Sequence, residues 1–207
     1  MQITNMPSGM LGVNTYLVID EETNKGFIVD PGGWNEKMKD HVLSTGVNLE
    51  FIILTHGHAD HIMGVPALLE DFPGLKIVAN VNEQQMLSDP DFNMSRQFGS
   101  ITRITPDLLV KEGDTLVIGS LELQVLDTPG HSPGGMCVYI PKWHTCFSGD
   151  TLFQGSIGRT DFPGCSFNKL ADSIHQKLWT LPDETDAYPG HMGPTNIGWE
   201  KEHNPFV

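Results

Sequence analysis

Within six residues, His56-Gly57-His58-Ala59-Asp60-His61 carries three imidazoles and one carboxylate. These are the donor groups that suit zinc, iron or manganese. Gly57 and Ala59 are small enough for the backbone to coil tightly, so that neighbouring side chains converge. Four donors in so short a run would crowd one tetrahedral centre, so the spacing predicts two metal centres sharing a loop. Three later segments have a common form: Leu126-Asp127-Thr128-Pro129-Gly130-His131, Phe147-Ser148-Gly149-Asp150 and Ala187-Tyr188-Pro189-Gly190-His191. Each is an apolar run entering a glycine-containing turn, and each delivers one donor, His131, Asp150 or His191, where a strand stops. Two metals about 3.5–4 Å apart polarise a carbonyl and lower the pKa of water toward neutrality, which is the equipment of a metal-dependent hydrolase.

The elements that must position these donors are strands mixed with helices, because the apolar pattern alternates between period 2 and period 3.6. Strands are expected over Thr15 to Ile19, Phe27 to Val29, Phe51 to Leu54, Leu75 to Ala79, Met136 to Ile140 and Thr145 to Phe147. A hairpin is expected where Thr115 to Ile118 and Leu121 to Leu126 flank Gly119-Ser120. Helices are expected over Trp34 to Thr45, about His61 to Phe72, Asn82 to Leu87, Phe167 to Leu181 and Ile197 to His203. The strand pair ending in Val29-Asp30-Pro31-Gly32 is echoed by the strand pair ending in Ser148-Gly149-Asp150. The echo suggests two similar halves packed face to face.

The chain of 207 residues is long enough to bury a sizeable core and contains no low-complexity linker, so residues 1–207 read as a single domain. Its formal net charge of −14 opposes a phosphate backbone and argues against nucleic acid as a partner. No apolar run is long enough to span a bilayer, and Met1 to Ser8 does not read as a secretory signal. Three cysteines (Cys137, Cys146 and Cys165) form no C-x-x-C pair, which fits a reducing compartment and gives a cytoplasmic expectation. Nothing in the sequence bears on oligomeric state.

The run at 56–61, followed in order by T-P-G-H at 128–131, S-G-D-T-L-F at 148–153 and P-G-H at 189–191, resembles the metallo-β-lactamase fold over nearly the whole chain. Gly158-Arg159-Thr160-Asp161-Phe162 and Asn204-Pro205-Phe206 are similar to the short glyoxalase-II-like branch and its persulfide dioxygenase relatives. The resemblance implies an α/β (α+β) architecture, a four-layer αβ/βα sandwich whose two halves are pseudosymmetric. It implies a first metal on His56, His58 and His131, a second on Asp60, His61 and His191, and Asp150 bridging both. Asp60 and Asp150 are then the catalytic carboxylates. The cofactors implied are two divalent ions per chain, with zinc the leading assignment and iron or manganese compatible with the same donors.

The reaction implied is hydrolysis of a small thioester or ester, possible substrates including glutathione-derived thioesters, by attack of a metal-bridging hydroxide on the carbonyl. Sixteen residues follow His191, so the helical extension that carries much of the glutathione grip in full-length glyoxalase II is not expected. The alternative is a persulfide dioxygenase using a single iron held by two histidines and an aspartate. A metal-binding module without catalysis is the third reading.

Other residues carry open expectations. Asp30 either supports a ligating histidine or closes its own turn, and Asp127 and Thr128 share that ambiguity. Arg159 either meets a substrate carboxylate or pairs with Asp161. Tyr188 reads as packing, Cys165 as a loop residue near the pocket, and Trp34, Phe153 and Phe162 as packing residues able to wall an apolar pocket. His41, His144, His175 and His203 have no donor neighbours.

Overall fold

Period-2 burial splits the strands between two faces. In the computed structural model, which describes residues 1–207, the strand β2 (Val13–Asp20) is buried on both sides. Tyr16 and Val18 face one hydrophobic core, while Leu17 and Ile19 face another. β2 lies in a six-stranded sheet with β1 (Gln2–Ser8), β3 (Lys25–Val29), β4 (Asn48–Ile53), β5 (Lys76–Asn80) and β6 (Leu108–Val110), in spatial order 1-2-3-4-5-6. The second six-stranded sheet is built from β7 (Thr115–Ile118), β8 (Leu121–Asp127), β9 (Met136–Ile140) and β10 (Thr145–Gly149). After the small hairpin β11 (Leu152–Phe153) and β12 (Ser156–Ile157), β13 (Asp186–Pro189) and β14 (Thr195–Asn196) complete that sheet, in spatial order 14-13-10-9-8-7.

The sheets pack face to face through Tyr16, Val18, Phe27, Val29, Ile53 and Val78 from one and Ile118, Leu123, Val125, Val138 and Phe147 from the other. The outer face of the first sheet is covered by α1 (Glu36–Thr45) and α3 (Val65–Asp71), which contribute Met38, Val42, Val65 and Leu68. On the outer face of the second sheet, α5 (Phe167–Gln176) and α6 (Ile197–His203) contribute Leu170, Ile174 and Ile197. The layers are therefore α, β, β, α, as expected. The echo between halves is also present: β2 and β3 are antiparallel with β4 parallel beyond them, and β9 and β10 are antiparallel with β13 parallel beyond them. Phe27 and Phe147 from the two hairpins meet edge to face at 6.1 Å. No helix is long and apolar enough to cross a membrane.

Three helical expectations are corrected. The single helix over His61 to Phe72 is two, α2 (Ala59–Ile62) and α3. They part at Gly64, whose N–H donates to Pro31 O (2.8 Å) rather than continuing the helix. A Cβ at Gly64 would collide with the backbone of Pro31 and Gly33. The segment after β5 is a 3-10 turn, Val81–Glu83, leading into α4 (Gln84–Ser88). α5 ends at Gln176 and is followed by a 3-10 turn at Leu178–Thr180. β1 was not anticipated: its polar, proline-containing sequence suits a sheet edge, where its pairing is with β2 alone.

Candidate metal centre

Each donor segment leaves a strand at the same end of the sandwich. His56 and His58 follow β4, Asp60 and His61 begin α2, His131 follows β8, Asp150 follows β10 and His191 follows β13. β8, β10 and β13 run in one direction, since β9 is antiparallel to both β8 and β10 and β13 is parallel to β10. All seven sequence-selected donors converge there.

They gather as two clusters with one carboxylate between them, and His56 and His61, one from each, also come within 4.8 Å of Asp30 and of one another. His56, His58 and His131 place one donor atom each within 4.8 Å of one another, and so do Asp60, His61 and His191. Asp150 stands between them: its Oδ2 is 3.5 Å from His131 Nε2 and 3.7 Å from His191 Nε2, and its Oδ1 is 3.4 Å from His61 Nε2. His191 Nε2 also lies 3.1 Å from Asp60 Oδ2. A Cβ on Gly190 would strike Asp150 and the His61 ring, so only glycine lets the His191 turn approach this closely.

The donor set fits cations. His56 Nε2, His61 Nε2 and Asp150 Oδ1 are buried without a hydrogen-bond partner, a costly condition for polar atoms that a metal would relieve. Burial and the neighbouring imidazoles His61, His131 and His58 push His56 far below the ordinary histidine range. Burial, with His131 beside it, pushes His58 down to about 3. Both rings are thus neutral, as ligation requires. Burial opposes charge on His61, yet Asp150, Asp60 and Asp30 outweigh it and raise the pKa of that ring well above normal, marking a spot where positive charge is stabilised. Burial likewise opposes ionisation of Asp60 and Asp150, and the surrounding imidazoles, His61 foremost, overcome it and hold both carboxyls below their usual range.

The supporting contacts resolve Asp30. Its Oδ1 accepts from Thr55 N (2.8 Å) and its Oδ2 from Thr55 Oγ1 (2.6 Å). The same Oδ2 lies 2.9 Å from His61 Nδ1, which turns the Nε2 of that ring toward the centre. Thr55 Oγ1 sits 3.1 Å from His56 Nδ1, and His131 Nδ1 donates to Arg159 O (2.8 Å). Arg159 itself forks onto Asp161 (2.7 and 2.8 Å) and lies 3.7 Å above the Phe162 ring. Asp127 accepts from Asn80 (2.5 Å), away from the donors, and Thr128 pairs with Thr151 (2.9 Å). Tyr188 packs against Tyr16 and Phe147. Cys165 Sγ donates to His131 O (2.7 Å), so it braces the His131 loop. Phe153 and Phe162 line the cavity over the donors, whereas Trp34 packs on Phe72 and donates to Asp71 (2.8 Å) elsewhere.

Three supports had no sequence signal. Glu83, only 1% exposed, accepts from Gly57 N (2.8 Å) and Gly134 N (2.5 Å), tying the His56/His58 loop to the loop after His131. Asn14 accepts from Asn5 (2.8 Å) and donates to Pro189 O (2.9 Å) and Met192 O (2.8 Å), bracketing His191. Asn93 O accepts from Ala59 N (2.8 Å). Each partner lies far along the chain, and none of the three belongs to a motif.

The Metallo-beta-lactamase superfamily model matches residues 8–191. The chain belongs to this superfamily. Among curated relatives of this superfamily member, the "Probable metallo-hydrolase YqgX" of Bacillus subtilis is 36% identical over 209 residues, covering 100% of this chain and 98% of that one. The "Hydroxyacylglutathione hydrolase GloC" of Haemophilus influenzae is 35% identical over 210 residues, with 100% and 98% coverage. Among solved structures, the BLEG-1 B3 metallo-β-lactamase superposes with TM-score 0.92 at 38% identity, covering 99% of both chains. TTHA1623 in a di-iron-bound form gives 0.87 at 34%, covering 99% and 100%. ETHE1 from Myxococcus xanthus gives 0.80 at 31%, covering 99% and 84%. These similarities, with the two clusters, suit a pair of divalent metals in a metallo-hydrolase scaffold.

Proposed function

We propose that this superfamily member is a dinuclear metal-dependent hydrolase that cleaves a small thioester. The observation that carries the reading is Asp150, a single carboxylate set 3.4–3.7 Å from imidazoles of both donor clusters. His56, His58 and His131 would hold one ion, and Asp60, His61 and His191 the other, with Asp150 between them. Bound there, two divalent ions, zinc first among the candidates, would supply Lewis acidity toward a carbonyl oxygen and a lowered pKa for water.

The residues of the chain do the rest. Asp60, ionised and facing the cavity, orients the attacking water. Asp30 and Thr55 fix the rings of His61 and His56 from behind, and Glu83 holds the two histidine loops in register. Among cavity-lining residues the titratable groups are the proposed ligands and Arg159. No separate acid is placed to protonate a leaving group. That suits a thiolate, whose parent thiol has a pKa of about 8.5, better than an alkoxide. The site needs both sheets, which supports residues 1–207 acting as one domain. The three free thiols, two of them buried, suit a reducing cytoplasm.

Elemental analysis of the purified chain, paired with release of thiol from an acyl thioester, tests the reading. Two metals per chain with thioester cleavage are expected. One iron per chain with oxygen consumption on a persulfide would replace this reading with the dioxygenase alternative.

A further inference from the structure

We propose that the cavity over the donor clusters is a subsite for an uncharged, apolar acyl chain; this deepens the thioesterase reading and rests on it. The cavity is about 440 Å³, a size usual for small-molecule sites. Its walls above the metal ligands are Leu11, Met94, Phe98, Phe153, Phe162 and Met192. Of the 12 lysines and arginines, Arg159 alone reaches this lining. Its guanidinium is already forked onto Asp161 and stacked on Phe162. A thiol partner bearing carboxylates, as glutathione does, would find no unpaired lysine or arginine in this lining, on a chain whose formal net charge is −14.

A second observation concerns the two methionines. Met94 (φ +71°) and Met192 (φ +66°) both sit in the left-handed backbone region that favours glycine. Neighbouring asparagines hold each one there. Asn93 Oδ1 accepts from Ser95 N (2.9 Å), spanning Met94, and Asn14 Nδ2 donates to Met192 O (2.8 Å). Neither side chain enters any of the three hydrophobic cores, and Met192 is 59% exposed. Packing of the fold therefore does not explain a side chain at either position, where glycine would relieve the backbone. Each lines the cavity, and Met94 also borders a neighbouring groove with Phe92 and Phe162. Long, unbranched thioether side chains conform to flexible apolar ligands, and strained backbone of this kind gathers at ligand clamps.

The acyl carbonyl would sit over Asp60 and Asp150, with the chain running out between the methionines. In the reaction the oxygen of water bonds to the acyl carbon and the carbon–sulfur bond breaks. The products are a carboxylic acid and a thiol, and no oxidant or reductant is consumed.

The test measures kcat/KM of the metal-loaded chain on straight-chain acyl thioesters of N-acetylcysteamine, from two to eight carbons, beside S-lactoylglutathione. A rise of about fourfold per methylene is expected, the value of full burial. Met94→Gly and Met192→Gly should each lower that slope to about twofold. Calorimetry with the matching S-alkyl thioethers, which cannot be hydrolysed, reads the same slope in affinity without turnover. Cleavage with a flat chain-length series, or a preference for the glutathione thioester, would overturn the apolar subsite and leave the hydrolase standing. No cleavage of any thioester, with thioether affinity still climbing by chain length, would overturn the hydrolase and uphold the subsite. Thioether affinity independent of chain length would overturn the subsite in either case.

Discussion

Asp30 and Asp150 occupy equivalent places in the two halves, each the first residue after the second strand of a hairpin, yet their surroundings differ. Asp30 is saturated: Thr55 N, Thr55 Oγ1 and His61 Nδ1 occupy its two oxygens. Asp150 faces three imidazoles and keeps Oδ1 without a hydrogen-bond partner. Of these two equivalent positions one is a support, and the other is the bridging ligand of the proposed site. The difference is made by Thr55, which donates twice to Asp30; the threonine that follows Asp150 in sequence, Thr151, pairs with Thr128 instead. Of the two strand-end carboxylates, the one that the protein leaves unsatisfied is the one free to take an ion.

That contrast can be broken at the ligand with the largest effect. Asp150→Ala removes the group shared by both clusters, so thioester cleavage should fall by roughly a thousandfold or more. Metal content, read by elemental analysis, should drop below two per chain; full activity would end the bridging assignment. Breaking the support should cost less. Asp30→Asn keeps an acceptor for Thr55 but cannot serve all three donors. Metal affinity at the Asp60, His61 and His191 cluster should weaken about 10–100-fold, as for other groups that orient a ligating histidine. Calorimetric titration with zinc would show one weakened site beside one nearly unchanged.

Glu83→Ala sharpens the comparison from a third position, since Glu83 supports the other cluster. It leaves Gly57 N–H and Gly134 N–H without their acceptor, at about 1–3 kcal/mol each if they stay dry. The urea midpoint should fall, and the His56, His58 and His131 site should weaken while the second site holds. The smallest effect is that of pH on the metal-free chain. His58 is depressed to about 3, and His56 is lowered too. Below the ordinary histidine value of about 6.5 the unfolded chain therefore binds protons that the folded chain refuses, and stability falls with pH. The raised His61 is protonated in both states in that window and does not oppose the trend. Urea midpoints measured from pH 7 to 4 should decline; a flat profile would contradict neutral, buried His56 and His58.

Much of this was legible in the sequence for a physical reason. Ligands cluster where strands end, strands announce themselves by period-2 apolar residues, and His56 to His61 packs its donors into one loop. Ile197 to His203 and the hairpin at Gly119-Ser120 were likewise local, and both formed as expected. What stayed hidden depends on distant partners. Glu83 reaches back 26 residues to Gly57 and forward 51 to Gly134, and a lone glutamate after a strand carries no mark of that. The role of Asp30 was open between two readings because its partner Thr55 lies 25 residues away. The break at Gly64 followed from the Pro31 carbonyl, a neighbour created by the fold itself.

Asn14 binds carbonyls 175 and 178 residues further along the chain. The second sheet brings His191 to the site, but Asn14 on β2 of the first sheet settles its final position. The second donor cluster therefore cannot be completed until residues 189–192 have been made and both sheets have closed on each other. Capture of the second ion would then coincide with the last act of folding, so metal content would serve as a tally of finished molecules.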